Sequence, residues 1–232
     1  MSTPAGSIQP PGTSRVRDDA AYLLPMAAFG IFTAIGAQWP RLYAASYIAK
    51  TILTAMLLVA LRRSYTKIRW DYWWLGALMG VVGIVQWVGM EKLLLHVAPH
   101  YPRPGIEPYN PFESIASPAW RWAFIAVRWG AAALLVPVME ELFWRDFLWR
   151  SLIAPVDFKL AAVGEVDWKA ILLVSLIFCS VHVQWATAFV WGLMIAGLLV
   201  TTRSLGACII MHGVTNFLLG LYVLRTGDWY FW

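Results

Sequence analysis

Two adjacent carboxylates followed by an arginine lie within an otherwise apolar stretch of the sequence. The run EELFWR (140–145) places Glu141 and Arg145 four residues apart, the spacing at which an acid and a following base pair on one helix face. Glu140 lies about 100° further round such a helix and is left without that partner. An unpaired carboxylate is available as a general base. The alternative interpretation is an amphipathic turn whose charges face lipid headgroups.

Two histidines also lie at the end of, or within, apolar runs. His182 closes the run AILLVSLIFCSVH, and Phe178, one helical turn earlier, is positioned to pack under its ring. His212 and Asn216 are four residues apart in LGACIIMHGVTNFLLGLYVL, which predicts one shared helix face and about 6 Å of axial separation. Polar groups at membrane depth are costly, so they are retained where they are paired, hydrated or functional. The alternatives are an interfacial histidine and a structural hydrogen bond between helices.

The ordered motifs EExxxR, FxxxH and HxxxN resemble those of the CAAX prenyl endopeptidase and bacteriocin-processing family, also called the CPBP or Abi family. The residues that carry the resemblance are Glu140, Glu141, Arg145, Phe178, His182, His212 and Asn216. The resemblance covers about residues 119–224. Asp146 follows the first motif where many members have glycine. The Trp-rich sequence around it is similar to a bacterial branch found alongside exosortase-type sorting systems.

The resemblance implies an intramembrane endopeptidase of the glutamate type, which cleaves a membrane-associated protein or peptide. Glu140, helped by His182, would take a proton from water, and His212 and Asn216 would donate to the developing oxyanion. Three further residues are implied as supports of this site: Glu141, Arg145 and Phe178. The bilayer is then a second partner, and a bacterial inner membrane is the expected location.

The resemblance favours catalysis without a cofactor. The sequence has no HExxH, GxSxG or GxGD motif, which are typical of other intramembrane proteases. The alternative is a divalent metal such as zinc. Glu140, His182 and His212 would then supply a ligand set of two histidines and one carboxylate.

Composition indicates that these motifs belong to a membrane protein. Of the 232 residues, 60% are apolar and only 13% are charged, too few charges to cover a water-facing surface. The 15 Trp residues suit a protein with two membrane interfaces. The net charge of +5 comes largely from short loops between apolar blocks, which indicates membrane topology and no nucleic-acid partner. Cys179 and Cys208 lie in apolar runs, so a disulfide framework is not expected.

Stretches of about 20 mostly apolar residues are the elements that must position the motifs. Candidate spans are residues 22–38, 44–61, 72–95, 119–137, 170–185, 186–202 and 205–224. Residues 138–154 are ambiguous, since they are apolar but carry five charges, and Pro137 predicts a break or a kink before them. Residues 1–21 predict a disordered cytoplasmic tail and residues 22–232 a single integral membrane domain. The expected fold is an all-α polytopic helical bundle.

The basic segment 62–70 predicts a cytoplasmic loop and hence a cytoplasmic N-terminus. If Glu140 and His182 share one depth, 138–154 must cross the membrane, which predicts eight helices and a cavity open to the cytosol. A seven-helix arrangement is the alternative. It places Lys159 on the cytoplasmic side, as the positive-inside trend favours, but is expected to separate Glu140 from His182 by about 30 Å.

Two other functions are compatible with buried polar residues. A non-catalytic membrane partner or immunity component of a protein-sorting system would use them as structural hydrogen bonds. A transporter would use them as a proton or substrate path, although the hydropathy pattern shows no internal repeat. Arg128, near the middle of 119–137, requires either a partner or a wet cavity. Glu91, near the end of a span, is expected at the interface.

Overall fold

The computed structural model describes residues 11–101 and 108–232, and in this part of the chain the regular structure is helical. The helices are α1 (Pro11–Gln38), α2 (Tyr43–Ala60), α3 (Trp73–Val97), α4 (Pro111–Ser114), α5 (Pro118–Ile153), α6 (Trp168–Ser180), α7 (Trp185–Thr202) and α8 (Leu205–Thr226). Six of them are long and apolar enough to cross a membrane: α1, α2, α3, α5, α7 and α8. The predicted polytopic helical bundle is therefore confirmed, and the chain is a multi-pass integral membrane protein.

Helix α5 runs without interruption through the position where a break was expected. Pro118–Ile153 is one helix of 36 residues, so the division into spans 119–137 and 138–154 is wrong. Two π-helical segments, Ala131–Leu135 and Leu142–Leu148, lie within it. Pro137 follows the first of them, and neighbouring helices in a bundle tolerate the backbone bond that a proline removes. With α6 as a shorter apolar helix, the described residues contain seven apolar helices and not the eight that were predicted.

Helices α6 and α7 form a hairpin whose turn carries His182. Helix α6 has 13 residues and extends about 20 Å, less than the roughly 30 Å of a hydrocarbon core. The chain then turns back at 181–184, so His182 stays at the depth of Glu140. A seven-helix arrangement therefore does not separate these two residues, contrary to expectation.

The basic loops gather at one end of the bundle. Lys159 forms an ion pair with Asp18 and donates to the carbonyl oxygen of Ser64. The Ser204 hydroxyl, which caps α8, also donates to the carbonyl oxygens of Arg69 and Asp71 at 3.0 and 2.6 Å. The 159 and 203 regions thus lie on the same side as loop 62–70, as the positive-inside trend favours.

The beginning of α1 is part of the fold. Residues 11–21 are helical, so the disordered tail predicted for 1–21 is wrong in that part, and residues 1–10 lie outside the described range. The Tyr22 ring is buried and its hydroxyl donates to Asp146 at 2.7 Å. Tyr65 donates to the carbonyl oxygen of Ala21 at 3.0 Å. These contacts hold α1 against α5 and the basic loop.

Helices α3 and α8 pack backbone to backbone, which positions the HxxxN motif. A Cβ on Gly80 would lie 2.8 Å from the carbonyl oxygen of Met211, and one on Gly83 would lie 2.5 Å from Thr215 Oγ1. Gly76 approaches Ala207 in the same way. The two glycines of the GxxxG motif at 76 and 80 thus lie in a close helix contact, which small residues allow in membrane proteins.

Candidate active site

A cavity of about 300 Å³ lies inside the bundle, and the four residues predicted as catalytic line it together: Glu140, His182, His212 and Asn216. Its wall also includes Arg128 in the first half of α5 and Trp232. The cavity thus extends from Glu140 along α5 away from loop 62–70. The cavity was expected to open toward the cytosolic side, where loop 62–70 lies, and its lining residues do not indicate such an opening.

Glu140 presents a carboxylate that no side chain in the described residues neutralises by an ion pair. Its Oε2 atom is buried and makes no hydrogen bond within this part of the chain. A buried acceptor without a partner is uncommon and indicates a place where water or a ligand binds.

His182 is held in one tautomer. Its Nδ1 lies 2.7 Å from the carbonyl oxygen of Phe178, and because a carbonyl only accepts, Nδ1 carries the proton. The neutral ring therefore has its lone pair on Nε2. The Phe178 ring lies 4.3 Å from the imidazole centroid, which confirms the predicted packing, and Trp87 meets the ring edge-on at 5.8 Å.

Glu141 joins two motifs that are 71 residues apart. Its Oε2 lies 3.2 Å from Arg145 Nε, which confirms the predicted pair, and its Oε1 lies 2.7 Å from His212 Nδ1. The side chains of Glu141 and Arg145 are 0% and 1% exposed, so water does not compete for the pair. The Arg145 guanidinium also lies 4.7 Å from the Phe178 ring centroid. The three motifs therefore form one connected cluster.

Asn216 is fixed by the first π-helical segment. Its Nδ2 donates to the carbonyl oxygen of Ala132 at 2.9 Å, one helical turn from His212 on α8. Gly213 between them allows α8 to approach α5, since a Cβ there would lie 2.8 Å from the carbonyl oxygen of Ala133. An amide has two N–H groups, so the second remains available to a ligand in the cavity.

The metal-dependent alternative stays a prediction. In residues 11–101 and 108–232, no three His, Cys, Asp or Glu side chains are grouped as ligands for an ion, and this includes Glu140, His182 and His212. His212 and His182 do have Nδ1 held by an acceptor, as metal ligands often do. The three side chains line one cavity.

The family model described as Type II CAAX prenyl endopeptidase Rce1-like matches residues 121–218, which include all three motifs. Over these residues the chain is similar to the CAAX prenyl endopeptidase family. This is a family of membrane proteases, and the apolar helices of the chain are consistent with that class. No curated protein and no solved structure matches the chain. The exosortase-associated branch stays a prediction.

Asp146, where many CAAX proteases have glycine, has a structural role in this chain. It forms an ion pair with Arg150 and accepts from the Tyr22 hydroxyl. Arg150 in turn donates to Thr66 Oγ1 at 2.9 Å and to the carbonyl oxygen of Ala161 at 2.9 Å. The departure from the family pattern therefore joins α1, α5 and two loops at the basic end, away from the cavity.

Sequence reasoning missed the tryptophan that encloses this candidate site. Trp191 on α7 stacks on Phe178 at 5.5 Å and meets the His212 ring edge-on at 4.9 Å. It also lies 5.8 Å from the Arg145 guanidinium. Among 15 Trp residues in the sequence, no local pattern distinguishes this one from an interfacial anchor.

Glu91 was expected at the interface, and that prediction is wrong. Its side chain is fully buried and accepts hydrogen bonds from the hydroxyls of Tyr101, Thr187 and Tyr230 at 2.6, 2.8 and 2.7 Å. Three O–H donors compensate for the loss of hydration. The contact with Tyr230 holds the 3₁₀ turn Trp229–Phe231 at the end of the cavity.

Proposed function

We propose that the protein is an intramembrane endopeptidase that hydrolyses a peptide bond of a membrane-associated protein or peptide with water activated by Glu140. The observation that carries the proposal is the unpartnered Glu140 carboxylate oxygen, which faces a cavity shared with His182, His212 and Asn216. Similarity of residues 121–218 to a family of membrane proteases supports the same conclusion.

The nucleophile in this proposal is a water molecule between Glu140 and His182. The carboxylate accepts one proton of the water, and the lone pair on His182 Nε2 accepts the other hydrogen and aims the oxygen. The oxygen then bonds to the scissile carbonyl carbon, and the carbonyl electron pair moves to its oxygen. When the tetrahedral intermediate collapses, the C–N bond breaks and Glu140 returns its proton to the leaving nitrogen. The products are a carboxylic acid and an amine.

His212 and Asn216 stabilise the oxyanion in the proposed mechanism. The free N–H of the Asn216 amide donates directly. His212 donates from Nε2 in its doubly protonated form, and Glu141, which holds Nδ1, balances the charge. Removal of one oxyanion donor from a hydrolase costs on the order of 3–4 kcal/mol of transition-state stabilisation. No step of this mechanism requires a metal.

The bilayer selects the substrate class. The cavity lies inside a bundle of apolar helices, so a substrate reaches it from the membrane phase or from the end opposite loop 62–70. Water is scarce in such a site, which strengthens the electrostatic interactions among Glu140, His182 and His212. A lipid-anchored or membrane-spanning peptide meets both requirements.

Terminal proteomics tests the proposal. Membranes from cells that produce the wild-type protein, Glu140→Gln or Glu113→Gln are compared for new peptide termini. Glu113 is exposed and does not line the cavity, so its variant controls for loss of one carboxylate. We expect peptide termini that appear with the wild-type protein and with Glu113→Gln but not with Glu140→Gln. The three proteins should have equal thermal stability in detergent. The same termini in Glu140→Gln contradict the proposal, and a non-catalytic partner then becomes the better interpretation.

A further inference from the structure

Arg128 is a second charged group of the cavity wall, and the chemistry described so far does not use it. The side chain is buried, with the residue 3% exposed. Its Nη1 donates to the carbonyl oxygen of Tyr109 at 3.3 Å. The guanidinium carbon lies 5.4, 5.8 and 4.7 Å from the ring centroids of Tyr43, Tyr47 and Trp232. In residues 11–101 and 108–232, no carboxylate forms an ion pair with it.

A guanidinium in this position is prepared for an anion. Arginine stays protonated in proteins and has five N–H donors, of which the carbonyl of Tyr109 takes one. Aromatic rings stabilise the faces of the cation but leave the donors in its plane available. A buried charge without a counter-ion is costly, so its retention beside a cavity indicates that a ligand supplies the charge.

The geometry of α5 turns Arg128 toward the same cavity as Glu140. Twelve residues of regular α-helix would leave the two side chains about 120° apart round the axis. The π-helical segment Ala131–Leu135 lies between them. Because a π-helical turn contains one residue more than an α-helical turn, it reduces the angle between the two side chains to about 20°. Ala132, which anchors Asn216, lies one turn after Arg128. The order along the cavity is therefore Arg128, the oxyanion donor and then the general base.

We propose that Arg128 binds a carboxylate of the peptide substrate and so positions the scissile bond. The inference rests on the proposed function, because the substrate it describes is the peptide cleaved at Glu140. Arginine suits this ligand, since its fork of donors matches the two oxygens of a carboxylate. About 18 Å separate Arg128 from Glu140 along the helix, a distance that about five extended residues cover. The anion is thus the α-carboxylate at the end of a short peptide tail or an acidic side chain within it.

Lys50 is the other buried cation in this region, and its contacts exclude it from the role. Its Nζ donates to Thr33 Oγ1 at 3.0 Å and lies 4.1 Å from the ring centroids of both Phe29 and Tyr47. Those two rings line the cavity, whereas Lys50 lies behind them. The carboxylate subsite is therefore assigned to Arg128 alone.

Binding to an inactive protein tests the subsite without catalysis. The probes are pools of acyl-anchored decapeptides of randomised sequence, made as the C-terminal acid, as the amide, or as the amide with a penultimate aspartate. In the Glu140→Gln protein we expect the acid pool to bind roughly 10- to 100-fold more tightly than the amide pool. In the double variant Glu140→Gln/Arg128→Gln, the acid and amide pools should bind equally tightly. Tight binding of the aspartate-containing amide identifies a side-chain carboxylate as the ligand. Equal binding of all three pools to Glu140→Gln overturns the proposal.

Two further variants keep the test decisive. Arg121 lies on the same helix, bonds to the carbonyl oxygens of Ile115 and Ala116, and contacts the Phe112 ring, but does not line the cavity. Arg121→Gln should preserve the ratio. Arg128→Lys keeps the buried charge if Arg128→Gln does not fold, and should give an intermediate ratio because a single ammonium replaces the fork. An unchanged ratio in the folded Arg128 variants overturns the proposal.

Cleavage assays separate failure of the subsite from failure of the proposed function. If wild type cleaves the peptides, Glu140→Gln does not, and Arg128→Gln keeps the full preference for the carboxylate pools, only the subsite is wrong. If Glu140→Gln cleaves as well as wild type, the proposed function is wrong, while the binding ratio still decides the role of Arg128. We expect Arg128→Gln to raise KM for the carboxylate pools and leave the amide pool unaffected.

Discussion

Oε1 of Glu141 lies 2.7 Å from Nδ1 of His212, although 71 residues separate them in the sequence. The same carboxylate pairs with Arg145, whose side chain is 1% exposed. The second glutamate of the EE pair therefore holds one imidazole and one guanidinium. In the proposed mechanism the first glutamate activates the water.

The Glu141 contact predicts separate effects on rate and stability. Glu141→Gln keeps the shape but removes the charge that balances protonated His212, so kcat should fall about 10- to 100-fold with little change in KM. It also leaves Arg145 buried without a counter-ion, which should cost about 3–5 kcal/mol in free energy of unfolding. Peptide kinetics and thermal denaturation in detergent measure the two effects.

A double variant distinguishes the two consequences of that change. Glu141→Gln with Arg145→Met removes both charges and should recover most of the lost stability while kcat stays low. Full recovery of kcat in the double variant would mean that Glu141 acts only through folding.

Close packing of α8 on α5 predicts a role for Gly213. A Cβ there would meet the Ala133 carbonyl oxygen at 2.8 Å, so Gly213→Ala must move His212 and Asn216 away from Glu140. A shift of this kind should lower kcat about 100-fold or more. A Cβ on Gly197 in α7 would meet no heavy atom within 4 Å, so Gly197→Ala is the control and should retain full activity. Equal activities of the two variants would contradict the packing argument.

Asn216 distinguishes an oxyanion donor from a structural hydrogen bond. Asn216→Ala should reduce kcat by roughly 100- to 1000-fold if the amide stabilises the oxyanion. The bond to the Ala132 carbonyl alone is worth well under about 2 kcal/mol of stability in a membrane bundle. A variant that loses stability but keeps its kcat would support the structural role. Activity and unfolding are therefore measured on the same preparation.

Metal dependence is tested by chelation. Because the proposed mechanism uses water activated by Glu140 and no metal, dialysis of the purified protein against EDTA or 1,10-phenanthroline should leave the cleavage rate unchanged. Metal content by mass spectrometry is the accompanying measurement. Loss of activity on chelation that added Zn²⁺ restores would favour the set of Glu140, His182 and His212 as ligands.

The sequence predicted the contacts that depend on helical periodicity. The pairing of Glu141 with Arg145 and the packing of Phe178 under His182 both follow from a spacing of four residues. The contact between Glu141 and His212 did not follow, since it depends on how α8 approaches α5. That approach is set by Gly213, which local pattern alone does not distinguish from other glycines in the sequence.

The error in helix count has a physical cause. Pro137 was given the meaning it has in a water-soluble helix, where the lost backbone bond ends the element. In the bundle, a π-helical segment precedes it and α5 continues. The depth of His182 was also misjudged, because the 13-residue length of α6 was not visible in a continuous apolar run. Composition indicates which segments are buried in lipid but not where a hairpin turns.

A single turnover in H₂¹⁸O tests the central claim that Glu140 activates a water molecule for direct attack. The purified protein, in excess over a peptide identified by terminal proteomics, is mixed in labelled water and analysed by mass spectrometry. The account predicts one ¹⁸O atom in the new C-terminal carboxyl of the product and none in the peptide containing Glu140. Label in the Glu140 side chain would reveal a covalent acyl-glutamate and contradict the account.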